Sequence, residues 1–260
     1  MTEKLIKSKI RVKKHGEVFT PKSIVNLMLN QPEIQEKLNS LTATFLEPAA
    51  GEGAFLLEIL RRKLRLALDL SETLIEYEEN ILIALTSLYG IELLEDNCRR
   101  LRMNMLYVFH AIYGKNIMRK FSAKVNKKVI NSAKVIIRAN IVQGDALNYI
   151  NNKNEPIILS EWIVLPIKYR VRKIQRTEYT LESIINRNQP METSISSQVE
   201  EFNLFADLLE GDNVKQKNII KYIPIKIIDI YKQLVKIEGE ENGSIPNKNE
   251  SVFIGGHSSK

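Results

Sequence analysis

The segment from residue 45 to residue 55 constrains the fold more than any other part of the chain. An apolar run, which predicts a strand over residues 43–47, is followed by the pair Gly51 and Gly53. From residue 55 to residue 70, leucine and isoleucine recur at helical spacing and predict a long helix. A strand, a tight glycine turn and a helix N-terminus bring bare backbone close to a nucleotide-like ligand. The segment therefore predicts an α/β fold with a ligand site at this turn.

The details of the turn argue against a dinucleotide ligand. Counted from Gly51 and Gly53, the position of the third glycine in the dinucleotide fingerprint is occupied by Leu56. Glu47, at the end of the predicted strand, would repel a pyrophosphate but can attract the cationic amino group of a methionine moiety. A plain strand–turn–helix unit without any ligand is the alternative interpretation.

Three further motifs accompany the turn in a fixed order. They are Gly16-Glu17-Val18-Phe19-Thr20-Pro21 upstream, and Tyr89-Gly90-Ile91-Glu92 and Gly144-Asp145-Ala146-Leu147 downstream. Together with the turn, they resemble the adenine-N6 DNA methyltransferases of restriction-modification systems, in the subgroup whose methionine-end motif is N-terminal. The resemblance covers roughly residues 10–150. It implies a Rossmann-like α/β fold that binds S-adenosylmethionine and acts on DNA, present in this chain in complete or incomplete form.

The resemblance assigns the methionine end of the cofactor to the first two motifs. A backbone and hydroxyl contact to the methionine carboxylate is expected from Phe19 and Thr20. The methionine pocket is expected to be shaped by Glu47, Ala49, Gly51 and Gly53. Without the other motifs, the Thr-Pro pair would be interpreted simply as the entry to a helix.

The adenosine end of the cofactor is assigned to the other two motifs. A carboxylate at Glu92 can accept hydrogen bonds from both vicinal ribose hydroxyls. Leu93 is expected to pack on the adenine face, and the resemblance implies that Asp145, with Ala146 beside it, accepts the adenine N6 hydrogens. The alternatives are that Glu92 is a surface acid capping the next helix and that residues 144–147 form a common turn.

The catalytic motif of this family, Asn/Asp/Ser-Pro-Pro-Tyr/Phe, was not found. The chain has no Pro-Pro pair, and Asn154-Glu155-Pro156-Ile157 is interpreted as a turn. On the resemblance, residues 156–162 look like an insertion before the catalytic strand, and a target-recognition domain is absent. We therefore expect either a truncated enzyme or one half of a split enzyme, completed by a second subunit. A non-catalytic DNA- or protein-binding regulatory protein is the alternative.

Charge and composition agree with a nucleic-acid partner, and they give no indication of a disulfide, a membrane span or a metal site. The net charge of +7 and the pI near 9.3 favour a polyanion such as DNA. The single cysteine, Cys98, suits a reducing cytoplasm, and no apolar run is long enough to span a membrane. The three histidines are scattered, so no metal-ligand spacing exists.

The pattern along the chain predicts four regions. Residues 1–42 form a helical lead-in that begins with a basic, frayed arm and includes a helix at residues 23–29. Residues 43–150 form the cofactor-binding domain, residues 151–238 a basic α+β appendage or insertion, and residues 239–260 a disordered tail.

Several elements are predicted within these regions. They are helices at 81–85, 95–113, 178–185, 202–209 and 225–235, an amphipathic basic helix at 115–138, strands at 89–93 and 135–142, a hairpin of strands 156–162 and 164–176, and a loop at 186–198. The basic face of the 115–138 helix is expected to be solvated, with a phosphate-facing surface as the alternative. A DNA contact by the basic residues of the second hairpin strand is left open, and Trp162 is expected to pack within the hairpin.

Overall fold

A computed structural model describes residues 6–168, 171–186 and 219–238, and the structural statements below refer to these residues. The helices are α1 (Lys9–His15), α2 (Lys22–Leu29), α3 (Pro32–Leu38), α4 (Ala54–Asp69), α5 (Leu74–Thr86), α6 (Glu95–Phe121), α7 (Lys127–Asn140) and α8 (Leu181–Ile185). The strands are β1 (Phe45–Glu47), β2 (Leu88–Glu92), β3 (Ile141–Gln143), β4 (Ile158–Val164), β5 (Lys173–Thr180), β6 (Ile219–Tyr222), β7 (Ile225–Lys226) and β8 (Val235–Glu238). The predicted mixed α/β class is confirmed.

The three strands that contain or lead into the predicted motifs form one parallel sheet. Its order is β1-β2-β3, with Glu47 opposite Gly90 and Glu92 opposite Gln143. Helices α4, α5, α6 and α7 cover this sheet and pack on each other through their apolar faces. Because the strands are parallel, their carboxyl ends lie together at one edge, where ligands bind in open α/β sheets.

One edge of this sheet is open. Among the described residues β1 pairs with β2 alone, and Leu46 on β1 is 46% exposed. Strand β3, at the other edge, also pairs only with β2 in the described part of the chain, but none of its residues is exposed. The edge formed by β1 is therefore the more exposed of the two.

A second, antiparallel sheet follows in sequence. Its order is β4-β5-β7, and a 3₁₀ helix at Ile227–Lys232 leads from it onto α7. The Ser132 hydroxyl on α7 donates to the carbonyl of Ile228 at 2.9 Å. The predicted hairpin is confirmed, although its second strand lies at Lys173–Thr180 instead of 164–176. The predicted division into four regions stays a prediction.

The basic stretch 115–138 was wrongly predicted as one helix. Helix α6 ends at Phe121, Ser122 adopts a left-handed conformation, and α7 begins only at Lys127, with Asn126 as its cap. The prediction was wrong because the apolar stripe continues through the break: Val125 follows Phe121 at the same four-residue spacing. Helix α7 then runs to Asn140, so the predicted strand 135–142 is reduced to β3.

Other helices and strands differ from the predicted boundaries for local reasons. Helix α5 starts seven residues before the predicted Ile81, because Thr73 and Glu76 form a capping box. The start of the predicted helix 178–185 belongs to β5, which leaves α8 as a single short helix. The predicted helix 225–235 is wrong: it comprises β7, the 3₁₀ helix and the start of β8. The predicted helix 202–209, most of the loop 186–198 and the tail 239–260 lie outside the described residues.

The frayed basic arm was also wrongly predicted. Residues 9–15 form α1, which Ser8 caps by accepting a hydrogen bond from the Arg11 amide at 3.2 Å. Lys7 and Arg11 form ion pairs with Glu52 and Asp96, which follow β1 and β2 in sequence. Within the described residues, no helix has the length and apolar character needed to cross a membrane.

Candidate functional site at the carboxyl ends of β1, β2 and β3

The turn after β1 has two glycines with different structural roles. Gly51 has φ +54°, and a Cβ added there would meet only the Phe19 ring, at 4.0 Å. Gly53 has φ +98°, and a Cβ added there would collide with the Leu101 side chain on α6. Gly51 therefore leaves open space above the turn, whereas Gly53 is needed for the close packing of the turn on α6.

Glu92, at the end of β2, holds this turn. Its Oε2 accepts a hydrogen bond from the Gly51 amide at 2.7 Å, and its Oε1 accepts one from the Leu94 amide at 3.0 Å. The residue is only 7% exposed. Backbone donors thus fix a buried carboxylate between the glycine turn and the start of α6, which are about 40 residues apart in sequence.

Asn97 completes the surroundings of this carboxylate. Its Nδ2 donates to Glu92 Oε1 at 3.3 Å and to Glu17 Oε1 at 2.6 Å, and the residue is 1% exposed. A carboxylate offers about four acceptor positions, and three of those on Glu92 are occupied. The position that remains lies on Oε2.

The N-terminal arm, defined as residues 6–17, is joined to the same site. Arg11 forms a two-point ion pair with Asp96, with both N–O distances at 3.1 Å, and also pairs with Glu17. The hydrogen bond from Arg11 lowers the pKa of Asp96 to about 2. Arg11, Glu17 and Asn97 were not predicted as site residues, because only folding brings the arm against α6.

Lys7 links the arm to the glycine turn. Its Nζ lies 2.8 Å from Glu52, between the two glycines, and 3.1 Å from Asp96. The same ammonium is 5.8 Å from the centre of the Phe19 ring, whose edge faces Gly51. The predicted residues Phe19 and Thr20 are both half-buried, and Phe19 lies over the turn as one wall of the open space.

Glu47 and Ala49 line the approach to the turn. Glu47 is half-buried at the end of β1, and its Oε1 accepts from the Ala49 amide at 3.3 Å. Ala50, the next residue, is buried and donates to the carbonyl of Ile91 at 2.9 Å. The turn is therefore tied to β2 through its backbone.

Asp145 follows β3 at the same edge of the sheet. The Gly144 amide donates to the Glu92 carbonyl at 3.0 Å, which places the third motif beside the second. The Asp145 carboxylate accepts from the Asn148 side chain at 2.7 Å and from the Leu147 amide at 2.9 Å. These hydrogen bonds lower its pKa, with that from Asn148 contributing most.

The remaining predicted residues border this edge differently. Leu93 is 52% exposed directly after Glu92, so an apolar surface is available beside the carboxylate. Ala146 packs against the small apolar cluster that contains Ile91 and Ile157.

The two hairpin arginines that the structure describes, Arg172 and Arg176, both have partners within the chain. The Arg176 guanidinium lies between the rings of Trp162 and Tyr222, at 5.2 and 4.3 Å from their centres, and donates to Glu178 at 2.6 Å. Arg172 donates to Asn80 Oδ1 at 2.9 Å. These two side chains hold the hairpin on itself and on α5. Trp162 is half-buried and donates to Asn140 at 2.8 Å, in agreement with the predicted packing role.

Comparison with known proteins identifies the family. The family model described as N-6 DNA Methylase matches residues 3–154, which is more than half of the chain. The chain belongs to the N-6 DNA methylase family. No curated protein and no solved structure matches it.

The family match includes every motif named above. It begins before the N-terminal arm and ends after Asp145, so the arm, the glycine turn, Glu92 and the β3 turn all lie within it. The predicted adenine-N6 DNA methyltransferase resemblance is thereby confirmed, and DNA methylation is the activity that the family suggests. Sheet β4-β5-β7 lies beyond the matched residues.

Proposed function

We propose that this chain is the S-adenosylmethionine-binding part of an adenine-N6 DNA methyltransferase, of a restriction-modification or phage-defence system, and that another polypeptide supplies the catalytic strand. The observation that carries this proposal is the hydrogen bond from the Gly51 amide to Glu92 Oε2 at 2.7 Å. It joins two motifs at the edge of the sheet where nucleotide-like ligands bind, and the third is joined to them by the Gly144 amide.

The residues at this edge fit the cofactor. The space above Gly51, with Phe19 as one wall, suits the methionine moiety, and Glu47 supplies a carboxylate for its amino group. The remaining acceptor position on Glu92 Oε2 suits one ribose hydroxyl. The other three acceptor positions are occupied by Gly51, Leu94 and Asn97, so we expect Glu92 to bind one of the two ribose hydroxyls and not both. When bound, the cofactor supplies an activated methyl group.

The adenine would lie between Leu93 and the turn that contains Asp145. Leu93 offers exposed apolar surface beside Glu92, and Asp145 offers a carboxylate on the neighbouring turn. The hydrogen bonds from Asn148 and Leu147 keep that carboxylate ionised and oriented, which suits an acceptor for an amino group.

Two surfaces support a partner that completes the sheet. The order β3-β2-β1 corresponds to one half of a doubly wound sheet, in which the next strand pairs with the open side of β1. Helix α2 is apolar on both sides: Val25 and Leu29 are buried, whereas Leu27 is 67% exposed. Ile24 and Met28 are also exposed, at 42% and 47%. Exposed large apolar side chains that lie on one helix often mark a protein contact, so α2 and the β1 edge each suit a contact with a protein partner.

A titration of the full chain with S-adenosylmethionine in a calorimeter tests the cofactor proposal. We expect one-to-one binding that weakens about 10- to 100-fold in Glu92→Ala, because a hydrogen bond to a charged group contributes about 1.5–3 kcal/mol. Glu95→Ala is the matched control, since Glu95 is an exposed acid three residues away that pairs only with Arg99 among the described residues. Equal affinity in wild type, Glu92→Ala and Asp145→Ala would refute the site.

The second candidate is a non-catalytic regulatory protein that keeps the fold. It is favoured by the lack of any Pro-Pro pair in the chain. Methyl transfer to DNA after addition of a polypeptide with the Asn-Pro-Pro-Tyr motif would exclude it. Absence of cofactor binding at millimolar concentration, together with salt-dependent DNA binding, would favour it over the enzyme part.

A further inference from the structure

The N-terminal arm is linked to Glu92, the carboxylate proposed to bind the ribose, through the buried side-chain amide of Asn97. Asn97 Nδ2 bridges Glu17 on the arm and Glu92 on β2, at 2.6 and 3.3 Å. On its other side, Asn97 Oδ1 accepts from Lys7 and from Arg11. Asn97 therefore contacts every charged group that connects the arm to Glu92.

The contacts of the arm are specific in geometry. Arg11 binds Asp96 through two nitrogens and also binds Glu17, whose side chain is only 7% exposed. A planar guanidinium bound at several points fixes orientation as well as distance. The exposed Glu95–Arg99 pair, with both side chains more than 60% exposed, lies one turn away on α6 and touches neither the arm nor Glu92. A position on α6 is therefore not sufficient for a charged residue to join the hydrogen-bond network around Asn97.

We propose that the N-terminal arm, acting through Asn97, positions Glu92 and the Gly51 turn for the ribose of the cofactor. Asn97 and Arg11 are then positioning residues, whereas Glu92 makes the contact. The cofactor part of this inference rests on the proposed function. The organisation of Glu92 and the turn by the arm does not, because the hydrogen bonds that express it lie entirely within the chain.

The chemical basis of this role is the set of hydrogen-bond donors that hold the Glu92 carboxylate in place. Its carboxylate accepts from Gly51, Leu94 and Asn97. Removing the amide of Asn97 leaves Glu92 held by the two backbone donors alone. It also leaves the half-buried Glu17 carboxylate near Glu92 without the donor that separates the two negative charges. Both effects loosen the carboxylate and weaken the hydrogen bond that closes the turn.

The first test uses the chain without any ligand. Amide hydrogen exchange at Gly51 and Leu94 is measured in wild type, Asn97→Ala, Arg11→Ala and the control Arg99→Ala. We expect protection at both amides to fall about 5- to 10-fold in the first two variants, as for the loss of about one hydrogen bond. Arg99→Ala should resemble wild type. Unchanged protection in Asn97→Ala and Arg11→Ala would overturn the proposal, whatever the chain binds.

The second test separates positioning from general loosening. Affinity is measured for S-adenosylhomocysteine and for its analogue with a 2′,3′-dideoxyribose. If Asn97 and Arg11 act through Glu92 on the hydroxyls, both variants should lose about 10-fold for the first ligand and show little loss for the second. Equal losses for the two ligands, or tighter binding by the variants, would overturn the positioning role.

Failure of the proposed function gives a different result. Wild type would then bind neither ligand, while exchange at Gly51 would still depend on Asn97 and Arg11. That result would leave the arm as the element that organises the turn and would remove its connection to a ribose.

Discussion

Lys63 offers the sharpest test of the structure as a whole. Its side chain is fully buried on α4, yet no carboxylate pairs with it among the described residues. Its Nζ donates to the carbonyls of Leu41 and Ala43 at 3.1 and 2.6 Å, and to the Ser87 hydroxyl at 2.6 Å. One ammonium thus joins α4, the segment before β1 and the turn before β2.

The pH dependence of stability follows from this environment. Burial lowers the pKa of Lys63 from 10.5 to about 7. Between these two values the unfolded chain binds more protons than the folded chain, so this residue makes the free energy of unfolding rise with pH. Integration from pH 7 to pH 9 gives about 2 kcal/mol. The three acceptors favour the protonated form, so this figure is an upper estimate.

The perturbation is Lys63→Met, which keeps the unbranched shape and most of the length of the side chain but has neither charge nor donor. In the variant at pH 7, the carbonyls of Leu41 and Ala43 lose their donor, which lowers the free energy of unfolding by about 1–3 kcal/mol each. This loss is partly offset because the variant does not have to bury an ammonium group. The assay is urea unfolding of wild type and variant at several pH values between 7 and 9. We expect the stability advantage of wild type to grow by up to about 2 kcal/mol over this range.

Lys120→Met is the matched control. The Lys120 ammonium also donates to two carbonyls, those of Leu68 and Ser71, but its side chain is exposed. If the advantage of wild type over Lys63→Met does not change between pH 7 and 9, or changes equally in Lys120→Met, then burial of Lys63 does not set its titration and the reasoning is refuted.

Three further results are expected from the packing of the site and the hairpin. Gly53→Ala should lower the free energy of unfolding by about 2–4 kcal/mol, measured by thermal unfolding, because the added Cβ collides with Leu101. Gly51→Ala should lower it by only about 1 kcal/mol, because of the positive φ at this position. Equal losses in the two variants would contradict the roles assigned to the two glycines. Asn140→Ala removes the acceptor of the only tryptophan, Trp162, and the donor to two buried carbonyls. The variant should lose about 2–3 kcal/mol and shift the Trp162 emission to longer wavelength, and an unshifted spectrum would show that the hairpin is held otherwise. Arg176→Ala should lose about 1–3 kcal/mol of stability without weakening DNA binding, because its guanidinium is enclosed by two rings and Glu178; a loss of DNA affinity at unchanged stability would point instead to a DNA contact.

The sequence by itself determined β1, β2 and the candidate residues at the carboxyl ends of the sheet. Periodicity located α4 and β2 closely, and the Gly-x-Gly pair marked the turn, because glycine at positive φ and an apolar helix leave local signals. The family resemblance rested on the same local motifs, and the family match confirmed it. Glu92, Asp145 and Gly51 were thus identified as candidates before their contacts were known.

Only the tertiary structure decided how the charged residues are used. Lys7 and Arg11 look like any basic terminus, and Asn97 looks like a polar residue on a helix. Their pairing is not visible in the sequence, because Lys7 and Arg11 bind Asp96 and Asn97 across about 85–90 positions. Likewise, the arginines of the hairpin suggested a DNA surface until Trp162 and Tyr222 were found to enclose Arg176. Apolar periodicity is a local property of the chain, whereas the partner of a charge is set by which distant elements folding brings together.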